Sequence, residues 1–415
     1  MAVVAKGQRK SARPGARHNG QDGQLRIAYL SYSPVDAGVA NAVHVMNMCA
    51  AFAANGHDTR LFARCGRTRR TAAEIFSRYG VPERFALELR QTLPVKPLGR
   101  LHYGFHQAMQ ARLHCPDVHY ARCLVSAAAA LTLGGKVVLE LHELPHSPLE
   151  RRIQRFVLRH PGLRRLVVIS NALREDLARV HAGIVDNLDC VVAPDGANVC
   201  TPREPFPLDR GPGRQIGYAG GLRTGNGIGT LLALAEAFPR DTFHVLGGSA
   251  DEIAQWRQSR TVPNVVWYGR VAPARVPAFL AACDVLLAPY EHGAKTNSGN
   301  DTSRWMSPLK IFEYMAAGKA MIVADFPVLR EVLSEDVAVL VAPANVEGWK
   351  AALARLADDE ARKRLGNAAR KKLESRYTWD ARARTVLEGL DEAPVRRPPE
   401  RDRNRVPARS ATGSA

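Results

Sequence analysis

A lysine and a glutamate three residues apart, Lys310 and Glu313, stand near the start of the segment Ser307-Pro-Leu-Lys-Ile-Phe-Glu-Tyr-Met-Ala-Ala-Gly-Lys319. Ser307 suits a helix N-cap, Pro308 a first helical position that needs no N–H, and Gly318 the left-handed residue that ends a helix. The start formed by Ser307, Pro308 and Leu309 would turn open amides and the positive end of the helix dipole toward an anion. Lys310, one turn in, would neutralise a phosphate of a nucleotide diphosphate. Glu313 would lie about 4.5 Å further along the same face, an offset suited to accepting hydrogen bonds from ribose hydroxyls. The spacing equally permits a plain local ion pair between the two side chains.

Other candidates sit where strands end. His142, in Glu140-Leu-His-Glu-Leu-Pro145, closes an apolar run at the edge of a sheet where α/β proteins bind ligands, with Glu143 placed to orient its ring. A histidine serving only its own loop fits the same residues. The turn Ser33-Pro-Val-Asp-Ala-Gly38 precedes a helix and could bring backbone amides to a phosphate, or be a plain turn. Neither a Gly-x-Gly-x-x-Gly fingerprint nor a P-loop is present, which argues against nicotinamide dehydrogenases and P-loop NTPases. Arg270 and Val271 end a further strand, with a solvated surface arginine the plainer reading of Arg270. The polar run from Glu291 to Asn300 is long for a structureless connection, which favours a functional loop or lid.

The elements that must hold these residues alternate. Apolar strand-like runs at 26–31, 58–63, 117–121, 136–141, 165–169 and 190–193 interleave with helical patterns, and Ser170 caps a predicted helix from Asn171 to Val180. After a proline-rich stretch at 201–213 a second series follows, with strands at 215–219, 242–246, 265–268, 285–289, 321–324 and 337–341. The expected fold class is α/β, two facing Rossmann-like, doubly wound parallel-sheet domains. Expected boundaries are a basic tail at 1–24, a first domain at 25–200, a linker at 201–213, a second domain at 214–376 and a basic tail at 393–415.

The Ser307 segment closely resembles the donor-binding signature of retaining, metal-independent glycosyltransferases of family four, which have the GT-B fold. The resemblance covers roughly residues 25 to 392. It implies contacts from Lys310 to the diphosphate and from Glu313 to the ribose, and assigns His142 to the sugar and acceptor end of the cleft. It also implies a Gly38 loop that closes over the donor, a base held near the backbone of Val271, and a helix at 377–392 that crosses back onto the first domain. Two positions depart from the pattern. In Gly217-Tyr-Ala-Gly-Gly-Leu-Arg-Thr-Gly-Asn-Gly227 the arginine and lysine of the family are replaced by Gly221 and Asn226, which leaves Arg223 as the substitute cation for the leaving diphosphate. The first glutamate of the Glu-x7-Glu motif is replaced by Trp305, so sugar contacts would pass to Asp301, Thr302, Ser303 or backbone near Ser307.

Composition sets the surroundings. Lysine and arginine exceed aspartate and glutamate by 58 to 40, a net charge of +18 that favours polyanionic neighbours. Arg151, Arg155 and Arg159 recur along one helical stripe beside Ile153, Phe156 and Val157, a solvated face or a site for an anionic membrane surface. No zinc-finger or RNP-type motif supports nucleic acid as a partner. Seven cysteines, odd in number and without metal-ligand spacing, fit reduced thiols. With no apolar run long enough to span a bilayer, a cytoplasmic protein is expected, peripheral on the inner face of the plasma membrane. The function these features imply is transfer of a hexose, with retention, from a GDP- or UDP-linked donor to a glycan or lipid-linked acceptor, without metal or other cofactor. A sugar-nucleotide 2-epimerase of the same fold and a catalytically degenerate GT-B scaffold are the alternatives.

Overall fold

A computed structural model of the chain describes residues 23–66, 70–92, 98–202, 204–293 and 303–390. The basic tails, and the polar run from 294 to 302 with Asp301 and Thr302, lie outside the described residues. In the first half, strands β1 (Arg26–Pro34), β2 (Asp58–Arg64), β3 (Ala86–Arg90), β4 (Val118–Ala121), β5 (Val137–Leu141), β6 (Leu163–Val168) and β7 (Cys190–Val192) alternate with helices. These are α1 (Ala40–Ala54), α2 (Ala72–Tyr79), α3 (Leu98–Arg112), α4 (Leu124–Thr132), α5 (Pro148–Arg159) and α6 (Asn171–Val180). The second half carries β8 (Gln215–Ala219), β9 (Thr242–Leu246), β10 (Val265–Gly269), β11 (Val285–Ala288), β12 (Ala320–Ala324) and β13 (Val339–Val341). Its helices are α7 (Ile228–Ala237), α8 (Ala250–Ser259), α9 (Val276–Ala282), α10 (Leu309–Ala317), α11 (Val346–Arg355), α12 (Asp359–Arg376) and α13 (Trp379–Leu387).

Two parallel sheets result, ordered β3-β2-β1-β4-β5-β6-β7 and β10-β9-β8-β11-β12-β13. Strands β4, β5, β8, β9, β11 and β12 are buried at every residue, because helices cover both faces and leave no polar side for alternation. β6 starts two residues earlier than its apolar run predicts, since the pairing with β5 slips between Val137 and Val138 and takes in Leu163. The strand order reverses beside β1 in one sheet and beside β8 in the other, and the crevices at those carboxyl ends are where such sheets bind ligands.

The last helix returns to the first sheet. Trp379, Ala383, Val386 and Leu387 of α13 pack into the same core as Val45, Met48 and Phe52 of α1. Their neighbour Arg382 is 4% exposed, an arginine driven into a core and therefore in need of counter-charge.

Candidate active site

α10 begins one residue later than the sequence suggests. Pro308 is the N-cap and no side chain caps the helix, whereas Gly318 ends it in the left-handed region at φ 65°. Ser307 is not the cap, because its hydroxyl accepts the backbone N–H of Asp195 at 2.8 Å from the first half of the molecule. The helix start is thereby free for an anion.

Lys310 does not pair with Glu313; among the described ion pairs none joins them. Its ammonium donates to the Tyr218 hydroxyl at 3.2 Å and lies 4.3 Å and 4.5 Å from the ring centres of Tyr218 and Tyr290. Tyr218 in turn donates to the Gly221 carbonyl at 2.6 Å, so one hydroxyl links the lysine to the turn after β8. Gly220 keeps the approach open: a Cβ there would stand 2.8 Å from the lysine nitrogen. Burial pushes Lys310 down to about 7, against the pull of Glu313, and burial pushes Glu313 up to about 7, against the pull of Lys310. Both groups are thus poised between charged and neutral forms in the absence of a ligand.

Across the cleft, His142 rests on a buried ionic network. Glu140, the charged residue of the apolar strand β5, has one carboxylate oxygen 2.5 Å from His142 Nε2 and 2.9 Å from His44 Nε2. The other oxygen lies 3.3 Å from Arg382 and accepts from the Tyr120 hydroxyl, while Arg122 stands at 3.5 Å from the first. Burial alone would raise the Glu140 carboxyl, but Arg382 and His44 outweigh it and hold the group well below the usual carboxylate range. His44 continues the chain through Nδ1 to Asp195 at 2.8 Å, the residue whose N–H meets Ser307. Burial and then Arg122 push His142 down to about 4, so its ring is neutral at pH 7. With the Nε2 proton committed to Glu140, Nδ1 is left as an acceptor. Glu140, rather than Glu143, orients the ring; Glu143 instead pairs with His146 at 3.0 Å.

The ligand-type atoms of His44, Glu140 and His142 lie within 4.8 Å of one another, a spacing compatible with a metal ion. Two guanidinium groups and a tyrosine already occupy Glu140, and their charge opposes a cation there.

The remaining candidates are placed as follows. Gly38 adopts φ 70° with its N–H donated to the Tyr79 hydroxyl, and a Cβ would collide with the Arg78 guanidinium. Gly221 sits in the turn that Lys310 touches through Tyr218. Arg223 is exposed and lies in the field of Glu252, the same carboxylate that Arg270 approaches at 3.5 Å. Val271 is half-buried against the second core. Trp305 crosses to the first half, where its indole N–H donates to Asp176 at 2.7 Å beside an Arg304–Asp176 pair. Leu309 packs at the border of the first core. Tyr218 and Tyr290, aromatic residues at the carboxyl ends of β8 and β11, escape a reading that looks only for charge. His44, Asp195 and Arg382 escape it too, although a glutamate inside an apolar strand signals that buried partners must exist.

Two family models match the chain in tandem, Glycosyltransferase Family 4 over residues 42–199 and Glycosyl transferase-like over residues 226–388. The chain is a GT-B protein related to glycosyltransferase family four. Solved GT-B structures superpose on this one along most of its length. A sucrose-phosphate synthase from Thermosynechococcus elongatus aligns with a TM-score of 0.64 and 16% identity, over 88% of this chain and 98% of that one. A glycosyltransferase from Rickettsia africae ESF-5 gives 0.66 and 14%, over 89% and 98%. Anabaena HepE in complex with UDP-glucose gives 0.64 and 16%, over 89% and 100%. TuaH of Bacillus subtilis (strain 168), named as a teichuronic acid biosynthesis glycosyltransferase, is 27% identical over 113 residues, which span 27% of each chain.

Proposed function

We propose that this GT-B protein transfers a hexose, with retention and without metal, from a nucleotide diphosphate sugar to a hydroxyl of a glycan or lipid-linked glycan. The observation that carries the reading is Lys310 near the uncapped start of α10, its ammonium against Tyr218 and Tyr290 and beside Gly220, where any side chain would crowd it. The diphosphate would lie on the first amides of α10 and on Lys310, and Glu313 would accept from the ribose. His142 Nδ1 would accept from a hydroxyl of the transferred sugar. As the bond to the leaving diphosphate breaks, negative charge gathers on its oxygens, and a preorganised lysine and helix terminus stabilise it without reorganisation. Arg223 would add a second cation from the turn after β8, at the cost of leaving Glu252. Relatives named for UDP-glucose and for teichuronic acid support a nucleotide-sugar donor and a glycan acceptor.

The test is a thermal-shift series with UDP, GDP and their sugars, with and without EDTA, followed by NMR of the donor with glycan acceptors. Stabilisation that survives EDTA, with transfer at the anomeric carbon in the retained configuration, is expected. An epimerised donor in the absence of acceptor would reassign the site to isomerisation. Binding without any turnover would make the protein a scaffold.

A further inference from the structure

Among the described residues, the large hydrophobic side chains left exposed are Leu101, Phe105, Met109, Leu113, Leu149 and Phe156. All six belong to α3, its following residue, or α5. Leu101, Phe105, Met109 and Leu113 recur every four residues and so form one stripe along α3, with Leu113 71% exposed. The helix cannot roll to hide them. Its other face is fixed by Tyr103 and Gln107, which both donate to the Ser31 carbonyl, and by buried Ala108 and Ala111. α4 packs between α3 and α5, and the Arg100–Glu150 pair at 3.0 Å joins the two outer helices.

The charge carried by the two helices is almost all basic. Arg151, Arg152, Arg155 and Arg159 are exposed along α5, and Arg100 and Arg112 flank the α3 stripe. α3 carries no acidic residue, and the one acid of α5, Glu150, is spent on Arg100. An apolar ridge inside a basic rim complements a surface that is apolar below and anionic at its rim. The terminal segments 1–22 and 391–415 are themselves net basic, and a second copy would bring the same sign of charge, so neither matches this face.

We infer that the α3–α5 face docks on an anionic lipid bilayer, inserting Leu101, Phe105, Met109, Leu113, Leu149 and Phe156 between headgroups held by the arginines. α5 follows directly on the loop that leaves His142, so the docked face adjoins the sugar end of the cleft. That adjacency suits an acceptor whose lipid stays in the membrane, a consequence that rests on the transferase reading; the docking itself does not.

Co-sedimentation of the full chain with phosphatidylcholine vesicles, and with vesicles containing about one-third phosphatidylglycerol, tests the assignment. Binding at least tenfold tighter to the anionic vesicles is expected, together with a tenfold or greater loss in Phe105→Ser/Leu113→Ser and in Arg151→Glu/Arg155→Glu. Unchanged melting and unchanged UDP stabilisation would show that both variants remain folded with the donor site intact. Wild-type protein that stays in the supernatant at low salt would overturn the inference. So would binding that is indifferent to the apolar pair, which would trace it to the basic tails, or a dimer in light scattering that the apolar pair dissolves. None of these outcomes bears on donor binding, so the two readings fail separately.

Discussion

Burial displaces Lys310 and Glu313 toward pH 7 in opposite directions, and if the donor binds at this proposed site the pair would make its binding pH-sensitive. A bound diphosphate favours the charged lysine, so binding takes up a proton above pH 7 and affinity falls as pH rises. Ribose hydroxyls need the ionised glutamate, so binding releases a proton below pH 7 and affinity falls as pH drops. UDP affinity measured by calorimetry should therefore peak near pH 7. Lys310→Arg should flatten the alkaline limb, because a guanidinium stays charged throughout. A wild-type profile with no alkaline decline would remove Lys310 from the phosphate site. Lys310→Ala should lower transfer by two to three orders of magnitude, in line with the roughly 3 to 4 kcal/mol lost when a preorganised charge-stabilising group is deleted. Arg223 carries more risk, since in this structure it faces Glu252 and solvent. Arg223→Ala should cripple transfer, with only partial recovery in Arg223→Lys, if the arginine turns to the leaving group during the reaction; unchanged kinetics would end its candidacy.

At the scale of elements, α6 and α10 show what the sequence could and could not say. α6 runs from Asn171 to Val180 with Ser170 accepting from the Leu173 N–H, as the cap residue and the apolar spacing predict. α10 ends at Gly318 as predicted, but its start moved by one residue because Ser307 found a partner 112 positions away, which no local rule contains. α3 went unread for a similar reason. Its apolar stripe points outward and its buried face is made of tyrosine, glutamine and alanine, the reverse of the usual pattern. The terminus of α6 is also where the halves meet: Glu331 accepts from the N–H groups of Asn171 and Ala172 at 2.8 and 3.2 Å. Glu331→Ala should cost about 1 kcal/mol, as losing a cap does, and widen the distribution of separations between the halves in solution scattering. An unaltered Tm and scattering curve would show that the contact holds nothing together.

For the whole molecule, the ionic network is the part that binds distant segments. Glu140, His44, Asp195 and Arg382 come from β5, α1, the turn after β7 and α13. The fold was legible because strand runs and turns are local, whereas this network joins residues up to 242 positions apart and only Glu140 advertised it. Arg382→Ala should destabilise the protein by about 3 to 5 kcal/mol, since it strands a buried carboxylate. Replacing Glu140 by Gln as well should restore part of the loss, and denaturant titration of the single and double variants measures both. A single variant as stable as wild type would mean that His44 and Arg122 suffice as counter-charge. The folded-state carboxyl of Glu140 lies well below its unfolded value, so its contribution is complete above the unfolded value and disappears as acid carries the protein down through the folded one.

Arg382 lies near the end of the chain, and the strand it neutralises lies in the first half. During synthesis β5 and Glu140 leave the ribosome long before α13 does, by on the order of ten to fifty seconds at ordinary elongation rates. Throughout that interval the first sheet lacks both its arginine and the apolar cover of Trp379, Val386 and Leu387. The half made first is therefore the half completed last, and a nascent chain stalled before residue 379 would expose an apolar patch beside a buried acid that still lacks Arg382. Chaperone capture of stalled chains should accordingly persist until α13 emerges, not end when the first seven strands are finished.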